Sequence, residues 1–128
     1  MRMLPLLRRI LEVVLLIVIG LTHLIIVKTG LHLQMYLGIL FIIATALSFV
    51  SAVWIALSDA SWGWILGAIV AASSFIGYVI TRTVALPGLH ILPWNAPSGL
   101  LSLVLEALAF VLALSALARR TSARVNAI

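Results

Sequence analysis

The sequence predicts an all-α integral membrane protein, a single four-helix bundle of up-down-up-down connectivity with both termini in the cytoplasm. Four apolar stretches, residues 10–27, 33–57, 62–81 and 99–117, fill most of the 128 residues. The composition is 65% apolar and only 9% charged, against roughly 45–50% and 25% in soluble domains. The basic residues gather at the chain ends rather than along one face. Stretches of about 18–25 residues, at about 1.5 Å rise each, span a hydrocarbon core of about 30 Å.

Helix 1 is expected over about residues 5–28. Met1-Arg2 and the apolar run after it imitate a secretory signal, but no Ala-x-Ala site precedes Lys28, so the segment reads as an uncleaved first span. Tight turns at 28–32 and 58–61 lead into helix 2 over 32–57 and helix 3 over 61–82, which makes sequential helices antiparallel neighbours. Helix 4 is expected over 98–119, followed by a short polar tail that would ordinarily fray. The 83–97 connection is different. It holds three prolines, a Pro-Gly turn signal and no charge, so Leu86, Leu89, Ile91, Leu92 and Trp94 are expected in the outer interface or against a partner.

An even number of crossings puts Arg2, Arg8 and Arg9 on the same side as Arg119, Arg120 and Arg124, and the positive-inside rule makes that side cytoplasmic. The net charge of +5 is thus a topological signal, and no nucleic-acid partner is implied. Trp54, Trp62 and Trp64 are expected as interface anchors on the inner side, with Tyr36, Tyr78 and Trp94 on the outer side. Gly63, Gly67 and Ala71 on helix 3, and Ala44, Ser48 and Ala52 on helix 2, repeat every four positions and form small-residue packing faces.

Few residues bear chemistry. Glu12 follows Arg8 by one turn and reads as a partly solvated helix-end ion pair. Glu106 lies roughly 10–12 Å below the outer end of helix 4, where Arg82 is its expected structural partner, the pair cancelling two charges within the membrane. His23, His32 and His90 all fall on the outer half, and three imidazoles suit a zinc or copper ion, two a haem iron. There is no cysteine, hence no thiolate metal site or disulfide, and no phosphate-loop, dinucleotide, serine-hydrolase or zinc-protease motif. A non-enzymatic protein is expected.

Trp62-Gly63-Trp64 opening helix 3, Arg82-Thr83-Val84-Ala85-Leu86-Pro87-Gly88 leaving it, and Ser102-Leu103-Val104-Leu105-Glu106 in helix 4 resemble a group of small bacterial four-helix membrane proteins over about residues 32–115. The resemblance implies the fold, treats Arg82 and Glu106 together and implies no activity. Small multidrug-resistance transporters are similar in size, with four helices and a membrane glutamate in helix 1 that Glu12 would match, but the comparison fails because Glu12 lies too close to the boundary and the arginine bias is one-sided. The leading expectation is an accessory or structural subunit of a larger membrane complex, respiratory, photosynthetic or otherwise redox, with the bilayer and other membrane subunits as partners. The alternatives are a membrane protein binding metal, haem or pigment through its outer histidines, and a small proton-coupled transporter.

Overall fold

The computed structural model describes residues 3–95 and 97–127. It is all-helical, with α1 over Met3–Leu33, α2 over Met35–Ser58, α3 over Ser61–Thr83 and α4 over Pro97–Asn126. All four are long and apolar enough to cross a membrane. Arg2, counted above among the basic anchors, lies outside the described residues, as does Ala96 of the long connection.

Tertiary contacts link α1 to α2, α2 to α3, α3 to α4 and α4 back to α1. At the end holding the chain termini, Arg9 donates from Nε to the Ile55 carbonyl (2.8 Å) and from Nη2 to that of Ala56 (2.6 Å), two carbonyls in the last turn of α2. Asp59, in the left-handed region at φ 51°, ends α2 and donates its N–H to Ile55. Its Oδ1 accepts from Trp64 Nε1 (2.7 Å) and from Arg120 Nη2 (2.7 Å), so one carboxylate joins α2, α3 and α4. At the opposite, loop end, Leu86-Pro87-Gly88-Leu89 forms a type II turn, with Gly88 at φ 69° and Leu89 N–H on Leu86 C=O at 2.9 Å. Gln34 Nε2 donates to Gly88 C=O and Tyr36 Oη to Pro87 C=O, tying this turn to the α1–α2 junction.

Several expected boundaries move. The first turn is not at 28–32: α1 runs through Lys28-Thr29-Gly30 to Leu33, and Gln34 alone breaks the chain. Gly30 is a packing glycine rather than a turn glycine, because a Cβ there would press on the Phe41 ring and lie 3.1 Å from Gly38 Cα. His32 consequently stands in the last turn of α1, not at the start of α2. Helix α4 continues through the polar tail to Asn126.

The core is narrow. Leu16, Ala52, Ile55, Trp64, Ala68, Ala113 and Ala116 form one buried cluster toward the terminal end, and Leu15, Ile19, Ala71 and Ala109 continue it inward. Lipid tails are as apolar as leucine, so close backbone approach and dispersion hold such helices together, and small residues are what permit the approach. The expected faces take this part unevenly: Gly63, Gly67, Ala71, Ser48 and Ala52 are buried, whereas Ala44 is only half-buried. The Trp-Gly-Trp opening of α3 divides in function. Trp62 is exposed, Gly63 packs on Ile55 and Trp54, and Trp64 is 2% exposed in the core. Trp64 thus packs inside the bundle and not at the lipid boundary, with its indole N–H held by the Asp59 carboxylate in the α2–α3 turn. Trp54 and Trp94 remain at the surface.

Candidate functional site

The bundle interior holds two carboxyl groups. Glu106 on α4 is 1% exposed. Its Oε1 accepts from Ser102 Oγ one turn earlier at 2.9 Å and lies 4.0 Å from His23 Nε2 on α1, while Oε2 has no hydrogen-bond partner. His23 is itself buried. Its Nδ1 is 2.8 Å from the Ile19 carbonyl, which can only accept, so Nδ1 carries a proton and Nε2 is the nitrogen presented to Glu106. The imidazole and the Phe41 ring meet in a T-shaped arrangement, ring centroids 5.8 Å apart.

Glu12 is completely buried and neither of its oxygens has a partner. The expected Arg8–Glu12 pair is not formed. The carboxyl turns toward α3, where Gly67 makes room: a Cβ on Gly67 would stand 3.4 Å from Glu12 Oε1 and 2.9 Å from Ser51 Oγ. Ser51 spends its hydrogen on the Gly63 carbonyl at 2.8 Å. From Glu12 to His23 the rise along α1 is roughly 16 Å, and the interior between them is the apolar layer of Leu15, Leu16, Ile19, Ala71, Ala109 and Ala113. The two carboxyls therefore occupy opposite halves of the bundle.

The Arg82–Glu106 pair is not formed either. Arg82 Nη1 donates to Thr81 Oγ1 (2.8 Å), Nε reaches the Pro93 carbonyl (3.4 Å), and the guanidinium stacks 3.7 Å from the Tyr78 ring centroid. Tyr78 also meets Trp94 edge-on. Arg82 thus fastens the long connection to the end of α3, and the Thr81 hydroxyl, the Pro93 carbonyl and the Tyr78 ring take the place of a carboxylate. Nor do the three histidines gather: His23 is buried, His32 and His90 are exposed, and among the described residues no group of three histidine, cysteine or acidic side chains could hold a metal ion. In the long connection Leu89 is buried, while Ile91 and Trp94 stay exposed.

Glu106 also borders a cleft of about 280 Å³ between α3 and α4, walled by Ala72, Phe75, Ile76, Ala107, Phe110 and Val111. The sequence singled out Glu106 and His23 separately and assigned each a different partner. What pairs them is the α1–α4 packing. No protein-family model matches the chain, and no curated protein or solved structure matches it at a significant level.

Proposed function

We propose that this chain is a small proton-coupled membrane transporter, with Glu106, His23 and Ser102 as its proton-exchange centre and Glu12 as a second proton-carrying group. One observation carries the reading: three of the four glutamate oxygens, both of Glu12 and Oε2 of Glu106, are buried without a partner. An ionisable side chain at the centre of a span costs roughly 2.5–3.5 kcal/mol on insertion scales, and buried polar groups kept for structure alone are normally satisfied. Groups that load and release protons have reason to keep free lone pairs.

The Glu106–His23 pair fits one shared proton. With the carboxyl protonated and the imidazole neutral, the Glu106 proton faces the Nε2 lone pair; after transfer, a carboxylate faces an imidazolium. The present separation of 4.0 Å exceeds the roughly 2.7–3.2 Å of a direct bond, so transfer requires an approach of about 1 Å or a bridging water. Ser102 supports the carboxylate form by donating to it. In this reading the arginine-rich end faces the cytoplasm and the bundle sits in the cell membrane. Purified protein in vesicles loaded with a pH-sensitive dye should dissipate an imposed pH gradient faster than empty vesicles, and Glu106→Gln should remove the difference. Equal rates with and without protein would overturn the proposal.

A second reading, an accessory subunit of a larger membrane assembly, is favoured by a shallow apolar groove of about 600 Å³ along α2, formed by Phe49, Val50, Val53, Trp54 and Leu57. Such a groove suits the bulky side chains of a partner helix. Purification from native membranes in mild detergent should then retain another membrane protein in fixed stoichiometry; a bare monomer would rule it out.

A further inference from the structure

The α3–α4 cleft and Glu106 together point to a substrate class. We propose that the cleft admits, from the lipid side, a small hydrophobic ammonium ion that takes the place of the proton held by the Glu106–His23 pair; this rests on the transporter reading above.

Three observations converge on it. The cleft walls are apolar, and Glu106 is the one ionisable residue bordering it. Small side chains at Ala72 and Ala107 open the gap, while Phe75 and Phe110 stand on its two helices. Aromatic faces carry negative quadrupole density that attracts a cation and repels an anion. Finally, Glu106 borders the cleft with its aliphatic stem while Oε2 is buried and unpaired, so binding requires the carboxyl to turn from His23 toward the cleft, where that free oxygen becomes the acceptor for the cation. An ammonium group answers both the charge and the unused lone pair. The volume, about 280 Å³, falls at the lower edge of ligand pockets, roughly 300–1,000 Å³, which suits a short amine with one ring or a short alkyl chain.

The exchange balances. A protonated Glu106 carboxyl and an incoming ammonium ion give a carboxylate–ammonium pair and one released proton, with no net change of charge in the cleft.

Calorimetric titration of the full-length detergent-solubilised protein with 4-phenylbutylamine near neutral pH tests this, with 4-phenylbutan-1-ol as the uncharged counterpart. The amine should bind saturably and release about one proton, read as a heat that changes with the ionisation enthalpy of the buffer, and the alcohol should bind at least tenfold more weakly. Glu106→Gln should weaken amine binding at least tenfold. Ala72→Leu, which fills the cleft without touching the carboxyl, should do the same, and it carries the test if Glu106→Gln fails to fold. Gly77→Ala, on α3 with open space around it, should bind like the parent. Equal binding of the alcohol, full binding by either cleft variant, or no amine binding at all overturns the proposal. Glu106-dependent proton flux without amine binding would sink the substrate class alone, whereas amine binding without proton flux would sink the transporter reading.

Discussion

Replacing Asp59 with alanine disturbs three interactions at once, and the structure separates their sizes. Asp59 lies at φ 51°, where an alanine Cβ crowds the following carbonyl by about 1–2 kcal/mol, while aspartate and asparagine tolerate the conformation better. Its Oδ1 is the acceptor for Trp64 Nε1 at 2.7 Å. Trp64 is buried, so the orphaned N–H loses about 1–3 kcal/mol. The Arg120 ion pair is 2.7 Å long but its side chains are 31% and 39% exposed, which limits its share to at most about 1 kcal/mol after solvent screening. Asp59→Ala should therefore destabilise by about 2–6 kcal/mol, whereas Asp59→Asn, which keeps the backbone preference and an oxygen for Trp64, should lose about 1 kcal/mol or less. Equilibrium unfolding in mixed micelles, followed by far-ultraviolet circular dichroism, measures both. In a Trp64→Phe background, Asp59→Ala should lose about 1–3 kcal/mol less than in the parent. Equal losses for Asp59→Ala and Asp59→Asn, or no coupling to Trp64, would refute the assignment of the indole bond as the main contributor.

Other outcomes follow from the same packing. Glu12→Leu should leave stability unchanged or raise it by about 1–4 kcal/mol, because an apolar side chain relieves a buried, unpaired carboxyl, while abolishing any proton flux; a destabilised but active variant would contradict the role given to Glu12. Gly38→Ala should destabilise by about 1–3 kcal/mol through overpacking, since its Cβ would lie 2.7 Å from the Leu31 backbone nitrogen. Gly77→Ala, with nothing within 4 Å of its Cβ, should be neutral or stabilise by up to about 1 kcal/mol, and the same unfolding titration compares the two. Gly88→Ala should loosen the long connection, because it places a Cβ at φ 69° and against the Gln34 amide. Faster amide exchange at Leu89 and Leu92 with unchanged exchange in the α1–α2 core is the expected signature.

The number of helices, their approximate spans and the gathering of arginines at one end were legible in the sequence, because each follows from one-dimensional quantities: length of apolar run, and position of charge. The Pro87-Gly88 turn was legible for a similar reason, since only local backbone preference is involved. Rotation of each helix about its own axis was not. In water, an apolar stripe marks the face a helix buries, but these helices are apolar all round, because lipid accepts apolar side chains on every face that the bundle does not. Sequence spacing could place Arg82 and Glu106 in the same half of the membrane; it could not turn Arg82 to the loop and Glu106 to His23. Likewise Glu12 sits one turn from an arginine in sequence, yet Gly67 and Ser51 on other helices decide that it points inward. The sequence by itself determined where the chain crosses the membrane. Only the helix–helix packing, set by close approaches at glycine and alanine, decided which of its few polar groups meet.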